Sequence, residues 1–200
     1  MAQSIIEICN SALTKIGAES ILSLNDGTKT SAACKERYEP CKKYVLRRHP
    51  WNCAIKRVVL SPLLTAPEFG FSSKFQFPSD LLRILSIDGG DSDYQIEGRN
   101  ILSDESSHEL IYIWDVNDPK LFDSTLDEAI AAYLAWDISY KITQSASLKE
   151  TLMRDFREAL KRAKTPDAQE SAPSELSADY YLESRQSGSS ATPKRNWTGV

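Results

Sequence analysis

Side chains able to do chemistry are few in this chain. His49 and His108 are its only histidines. There is no His-x-x-x-His pair, no Cys/His cluster and no carboxylate-rich metal loop, so no metal ion is expected. Cys9, Cys34, Cys41 and Cys53 form no Cys-x-x-Cys pair. Cys34 and Cys41 lie seven residues apart, two turns along one helix face, which is core spacing. Reduced, buried thiols are expected rather than a disulfide framework. Asp88, Asp91 and Asp93 around Gly89-Gly90 lack the flanking helices and terminal Glu of a calcium loop, so a solvated hairpin tip is expected. No Gly-x-Ser-x-Gly, phosphate-binding loop or dinucleotide fingerprint occurs. No nucleophile, base and orienting group can be assembled. The expectation is a protein with no catalytic residues, no cofactor and no enzymatic activity.

The densest motif is Arg47-Arg48-His49-Pro50-Trp51-Asn52, shortly after Tyr38-Glu39-Pro40-Cys41. A basic helical run stops at a proline, and a tryptophan opens what reads as a strand. His49, Pro50 and Trp51 are therefore expected to form a structural joint, with Trp51 packing the following segment onto the helices. Arg47 and Arg48 are expected to meet another protein, such as a neighbouring subunit, rather than DNA.

The elements around this joint follow from periodicity. Ile5, Cys9, Ala12 and Ile16 recur at helical spacing, with Gly17 as a stop. A second helix reads through Cys34, Tyr38, Cys41 and Val45. Its other face carries Lys35, Arg37, Lys42, Lys43 and Arg47. Pro40 should kink or restart it, and Pro50 disfavours helical backbone at His49. Short apolar or alternating runs then follow at 55–60, 75–77, 81–87, 94–96 and 110–114, separated by proline and glycine. They predict a small antiparallel sheet with turns at Gly89-Gly90 and Glu97-Gly98-Arg99-Asn100. Helix returns after Asp118-Pro119. Ser124 with Asp127, and Ser147 with Glu150, read as capping boxes. Leu126, Ala129, Tyr133, Trp136 and Tyr140 line one helix, and Leu148, Leu152, Phe156, Ala159 and Ala163 the next.

The expected fold is thus mainly α: a bundle of about four helices with an inserted small antiparallel sheet and an extended C-terminal tail. Residues 1–50 supply the first helices, 51–118 the β-rich insert, 119–165 the later helices and 166–200 the tail. The tail is linker-like at Ser187-Gly188-Ser189-Ser190, yet carries Tyr180, Tyr181, Arg195 and Trp197. Aromatic anchors on such a segment predict an arm that orders against a protein partner.

At 200 residues, 41% hydrophobic and 26% charged, the composition is that of an ordinary globular protein. A net charge of −4 gives no global pull toward nucleic acid or anionic membrane. No apolar run approaches the roughly 20 residues of a membrane helix. Neither a secretory leader nor a membrane association is expected. Charge is unevenly placed, however. Between Asp80 and Glu128 acids dominate, with Arg83, Arg99 and Lys120 the only Lys or Arg residues, whereas the second helix is basic. Opposed surfaces of this kind suit head-to-tail packing of copies into a closed ring. The alternative is a small nucleic-acid-binding regulator that uses the basic second helix.

Several segments, in order, resemble one family. They are Ser11-Ala12-Leu13-Thr14-Lys15-Ile16-Gly17 with Ile21-Leu22-Ser23-Leu24, Ala33-Cys34 with Tyr38-Glu39-Pro40, and Val45 to Ala54. Phe77-Pro78-Ser79-Asp80-Leu81-Leu82-Arg83 and Leu126 to Ala135 complete the set. Together they resemble the tail tubular protein A family, the head-to-tail adaptors of short-tailed bacteriophages, over residues 5–170. Lys42-Lys43 departs from the Arg-Asp more often expected there, and Cys53 from an aromatic. The resemblance implies a mostly helical bundle with an inserted sheet. It further implies a dodecameric ring of copies below the portal, joined to the tail nozzle (tail tubular protein B), with genomic DNA passing through the centre without sequence recognition. Tail fibres are a further implied partner. The implied location is the phage neck of the virion, assembled in the bacterial host cytoplasm.

Overall fold

The computed structural model describes residues 4–90 and 92–170. Helix α1 (Ile5–Lys15) starts at Ser4, whose side chain accepts the Glu7 N–H while the Glu7 carboxylate accepts the Ser4 N–H, a reciprocal cap. Thr28 caps α2 (Lys29–Leu46). This helix is continuous across Pro40, although the proline removes one backbone donor. Cys41, Val45 and Leu46 beyond it are fully buried, so packing holds the turn that the proline weakens.

Six strands follow: β1 (Ile55–Leu60), β2 (Ser73–Gln76), β3 (Leu81–Ile87), β4 (Gln95–Glu97), β5 (Asn100–Ser103) and β6 (His108–Trp114). They form two antiparallel three-stranded sheets, in the orders β1-β6-β3 and β2-β5-β4. The expectation of a mainly α bundle with one small inserted sheet is therefore corrected: the fold is mixed, with two sheets beside four helices among the described residues. The physical reason lies in non-local pairing. β6 sits between β1 and β3, with Ile55 opposite Ile113 and Leu81 opposite Trp114. β5 meanwhile takes β2 and β4 as partners, with Phe75 and Ile96 both opposite Ile101. Gly98, at φ 59°, makes the tight β4–β5 turn as expected. Gly89-Gly90 does not close a hairpin: β3 and β4 belong to different sheets, and Asp88–Gly90 is an irregular turn between them, kinked at Gly89, whose φ is 68°.

Helix α3 (Ser124–Thr143) is capped by Asp123, one residue before the expected start, and buries residues around most of its circumference, including Leu126, Ile130, Leu134 and Ile138. That marks it as the central helix rather than a one-faced surface helix. Its contacts are chiefly with α1 and α2. Helix α4 (Ala146–Glu170) runs past Pro166, where the core signal in the sequence fades. Contacts gather the described residues as far as Ala168 into one unit. The large core lies among the helices. A smaller cluster, including Phe75, Ile101, Leu110 and Tyr112, sits between the sheets. No helix among the described residues is long and apolar enough to cross a membrane.

Candidate protein interface at the exit of α2

The last turn of α2 is set by Trp51. Its indole is 1% exposed and donates Nε1–H to the Val45 carbonyl at 3.2 Å, folding the chain back under the helix it has just left. The His49 ring meets Trp51 edge-on, with centroids 4.8 Å apart. His49 Nε2 lies 2.9 Å from Asp167 Oδ2 on α4. Because the partner is a carboxylate, that nitrogen carries the hydrogen. Asp167 also accepts the Asn52 N–H at 3.0 Å, and its carbonyl accepts Asn52 Nδ2 at 2.9 Å. This staple explains why α4 continues past Pro166: the turn beyond the proline is tied to the joint. Burial pulls the His49 proton affinity below its ordinary value. Lys164 and Arg83 add to this, and Asp167 only partly opposes it.

The structure thus places His49, Pro50 and Trp51 where α2, β1 and α4 meet. Arg47 and Arg48 are exposed beside them. The Arg48 guanidinium lies 4.4 Å from the Tyr44 ring centroid and donates to the Tyr44 hydroxyl. Arg83, from β3, donates to the Arg47 carbonyl at 2.8 Å. Two bases from other elements, Arg83 and Lys164, thereby join the pair that the motif contains. Among the described residues none of these four forms an ion pair with an acid. Sequence spacing carries no signal for this gathering, because 36 residues separate Arg83 from Arg47.

The rest of the basic face of α2 is not free. Lys42 is 1% exposed, pairs with Glu39 at 2.8 Å and Asp115 at 3.1 Å, and donates to Asn117 at 3.0 Å. Lys43 reaches the other oxygen of Asp115 at 3.1 Å. Arg37 grips Asp137 through Nε at 2.5 Å and Nη2 at 3.2 Å. Lys35 donates to Asn25 at 2.8 Å. These bases knit α2 to α3 and to the segment after β6.

An acidic counterpart lies on the sheet side. Glu97, Asp104, Glu105 and Glu109 are exposed and make no ion pair among the described residues. The Asp88 tip, expected to be solvated, is instead engaged. It accepts Ser92 Oγ at 2.7 Å and the Glu109 N–H at 2.6 Å, and it pairs with Nδ1 of the buried His108. Burial favours its neutral form, but these hydrogen bonds outweigh that and hold its carboxyl below the usual range.

All four cysteines are free, with Cys9, Cys34 and Cys41 buried. The Cys34 thiol beside it and burial both push Cys9 far up. Among the described residues no group of three or more His, Cys, Asp or Glu side chains is placed to hold a metal ion. Tyr180, Tyr181, Arg195 and Trp197, expected at a portal or subunit contact, lie outside the described residues. Comparison of the sequence with protein-family models and with curated proteins finds no match to either.

Proposed function

We propose that the chain is a structural head-to-tail adaptor of a short-tailed bacteriophage, one copy of a dodecameric ring between the portal and the tail nozzle protein. The observation that carries the reading is the order of the segments from Ser11 to Ala135 that resemble tail tubular protein A. The placement of charge supports it. Unpaired bases at the α2 exit and unpaired acids on the sheet side give one copy two contact surfaces of opposite charge, which suits a head-to-tail ring. Repetition of one modest contact around a ring makes a tight joint. A net charge of −4 suits a conduit through which genomic DNA passes, since a cationic lining would hold phosphate. The exposed apolar side chains Val59, Leu64 and Phe69 give the sheet side a surface for the nozzle or for tail fibres. The role is assembly in the virion, built in the host cytoplasm, without catalysis.

Electron microscopy of the purified chain mixed with the portal is the direct test. Rings seated on the portal are expected, and the double reversal Arg47→Glu, Arg48→Glu should cut the fraction of decorated portals several-fold. Equal decoration by the variant would remove the α2 exit from the contact. The regulator reading has one observation in its favour, the unpaired bases Arg47, Arg48, Arg83 and Lys164. It predicts a salt-dependent shift of duplex DNA in a gel. The internal pairing of Arg37, Lys42 and Lys43 leaves it fewer phosphate contacts than the sequence of α2 suggests.

A further inference from the structure

A cleft of about 70 Å³ opens between the first turns of α1 and α3, lined by Glu7, Ile8, Ser11, Ser124, Asp127 and Glu128. Its polar groups are unevenly satisfied. The Glu7 carboxylate accepts the Ser4 N–H, and Glu128 pairs with Lys15. Asp127 is only 5% exposed, and its Oδ1 has no hydrogen-bond partner. Neither the Ser11 nor the Ser124 hydroxyl has a partner among the described residues. A buried carboxylate without a counter-charge is costly and calls for an occupant.

The charges around Asp127 define that occupant. From α1 it faces Glu7 and from the cap of its own helix Asp123, while Glu128 lines the same cleft. From α2 it faces the Tyr38 hydroxyl, itself buried without a partner, and from the joint the Cys53 thiol. The base at this end, Lys15, is taken by Glu128. Burial first, then Asp123 and Glu7, raise the Asp127 carboxyl to about 7, so near neutral pH it is poised to ionise once a cation arrives. Three carboxylates exclude an anion. No set of side chains here suits a metal ion. The volume admits a head of a few heavy atoms, Asp127 and two serine hydroxyls supply acceptors, and Ile8 supplies a wall for an alkyl stem.

We propose that the α1–α3 cleft is a receptor for one organic cation head, an alkylammonium or guanidinium group, with Asp127 as its counter-ion. The head comes either from a free amine or from a lysine or arginine of a second copy of this chain, and both present the same donors.

The test is a carboxyl-detected NMR titration of the full chain with n-butylammonium or methylguanidinium chloride, against sodium chloride at equal ionic strength. A ligand that binds only the ionised form should lower the proton affinity of Asp127 about tenfold when its concentration is about nine times its dissociation constant. Tetramethylammonium, which has no N–H donors and is too broad for the cleft, should have no such effect. Absence of the fall with both ligands overturns the proposal, as does an equal fall with sodium or tetramethylammonium. Asp127→Asn should abolish the saturable amide shifts at Ile8, Ser11 and Ser124; their persistence also overturns it. Sedimentation separates the two sources. Self-association that butylammonium dissolves and Asp127→Asn lacks assigns the head to a second copy of this chain. Sedimentation unchanged by both, with butylammonium still bound, assigns it to a free amine.

Discussion

The helix-side core and the sheet-side core are closed by different means. Among the helices, Cys9, Ala12, Ala33, Cys34 and Ala129 are all 0% exposed, so small side chains let three helices approach until little surface remains. Between the sheets, a few large residues, Phe75, Phe77, Ile101 and Tyr112, do the filling. That cluster covers less of its own border: Val59 is 63% exposed, while Leu64 and Phe69 are almost wholly so. Around the helix-side core Leu22, Leu121 and Tyr140 stay exposed, on a loop, a short turn and α3. A thin core of large residues leaves apolar surface at its rim. The difference teaches that one half closes by the approach of helices and the other by the bulk of a few side chains.

Truncation of the anchor of each core tests that contrast most severely. Trp51→Ala should cost about 3–5 kcal/mol, since it opens a large cavity and leaves the Val45 carbonyl without its indole donor. Phe75→Ala should cost about 3 kcal/mol, at the low end for its type, because the smaller cluster collapses more easily. Urea titration of both variants checks the order, and a larger loss for Phe75→Ala would reverse the comparison.

The next effect is smaller and depends on pH. The folded-state pKa of Asp127 lies above its unfolded value of 3.8, so its contribution is fully present below about pH 3.8 and is lost as pH rises through about 7. Asp127→Asn mimics the protonated group. It should raise stability by about 2 kcal/mol near pH 8 and change it little near pH 4. Thermal melts at the two pH values report it, and a gain of equal size at both would remove the carboxyl from the account.

The smallest effect concerns the rim of the sheet side. Leu64→Ser with Phe69→Ser should alter stability by less than about 0.5 kcal/mol. On the adaptor role proposed above, it should also weaken attachment of the nozzle or fibre protein, read as its loss from assembled particles. A large loss of stability would mean that these side chains belong to the fold.

Much of this was legible locally. Ile5, Cys9 and Ala12 announce α1, and the alternating runs announce β1, β3 and β6 within a few residues of their observed bounds. β5 has no signal of its own because Asn100-Ile101-Leu102-Ser103 begins inside the Glu97–Asn100 turn and carries only two adjacent apolar residues, which show no alternation. The division into two sheets was missed because pairing between strands far apart in sequence has no local signature. Ser124 and Asp127 have the spacing of a capping box, yet Asp123 takes the cap, and that one-residue offset turns Asp127 inward. Within the candidate interface, Arg47 and Arg48 can be read directly. Arg83 and Lys164 cannot, because only the fold brings β3 and α4 to the end of α2.

Strand β6 belongs to both halves. Leu110 and Tyr112 sit in the sheet-side cluster and Ile113 in the helix-side core, with β1 and β3 bonded along its two edges. A mechanical load applied along this strand is therefore shared by two ladders at once. It acts on them in shear, along the ladders, although the β3–β6 ladder is interrupted by register shifts between Leu81 and Arg83 and between Ile84 and Ser86. A tug on either half reaches the other through the stiffest direction the backbone has, so the unit yields as a whole rather than opening at a seam.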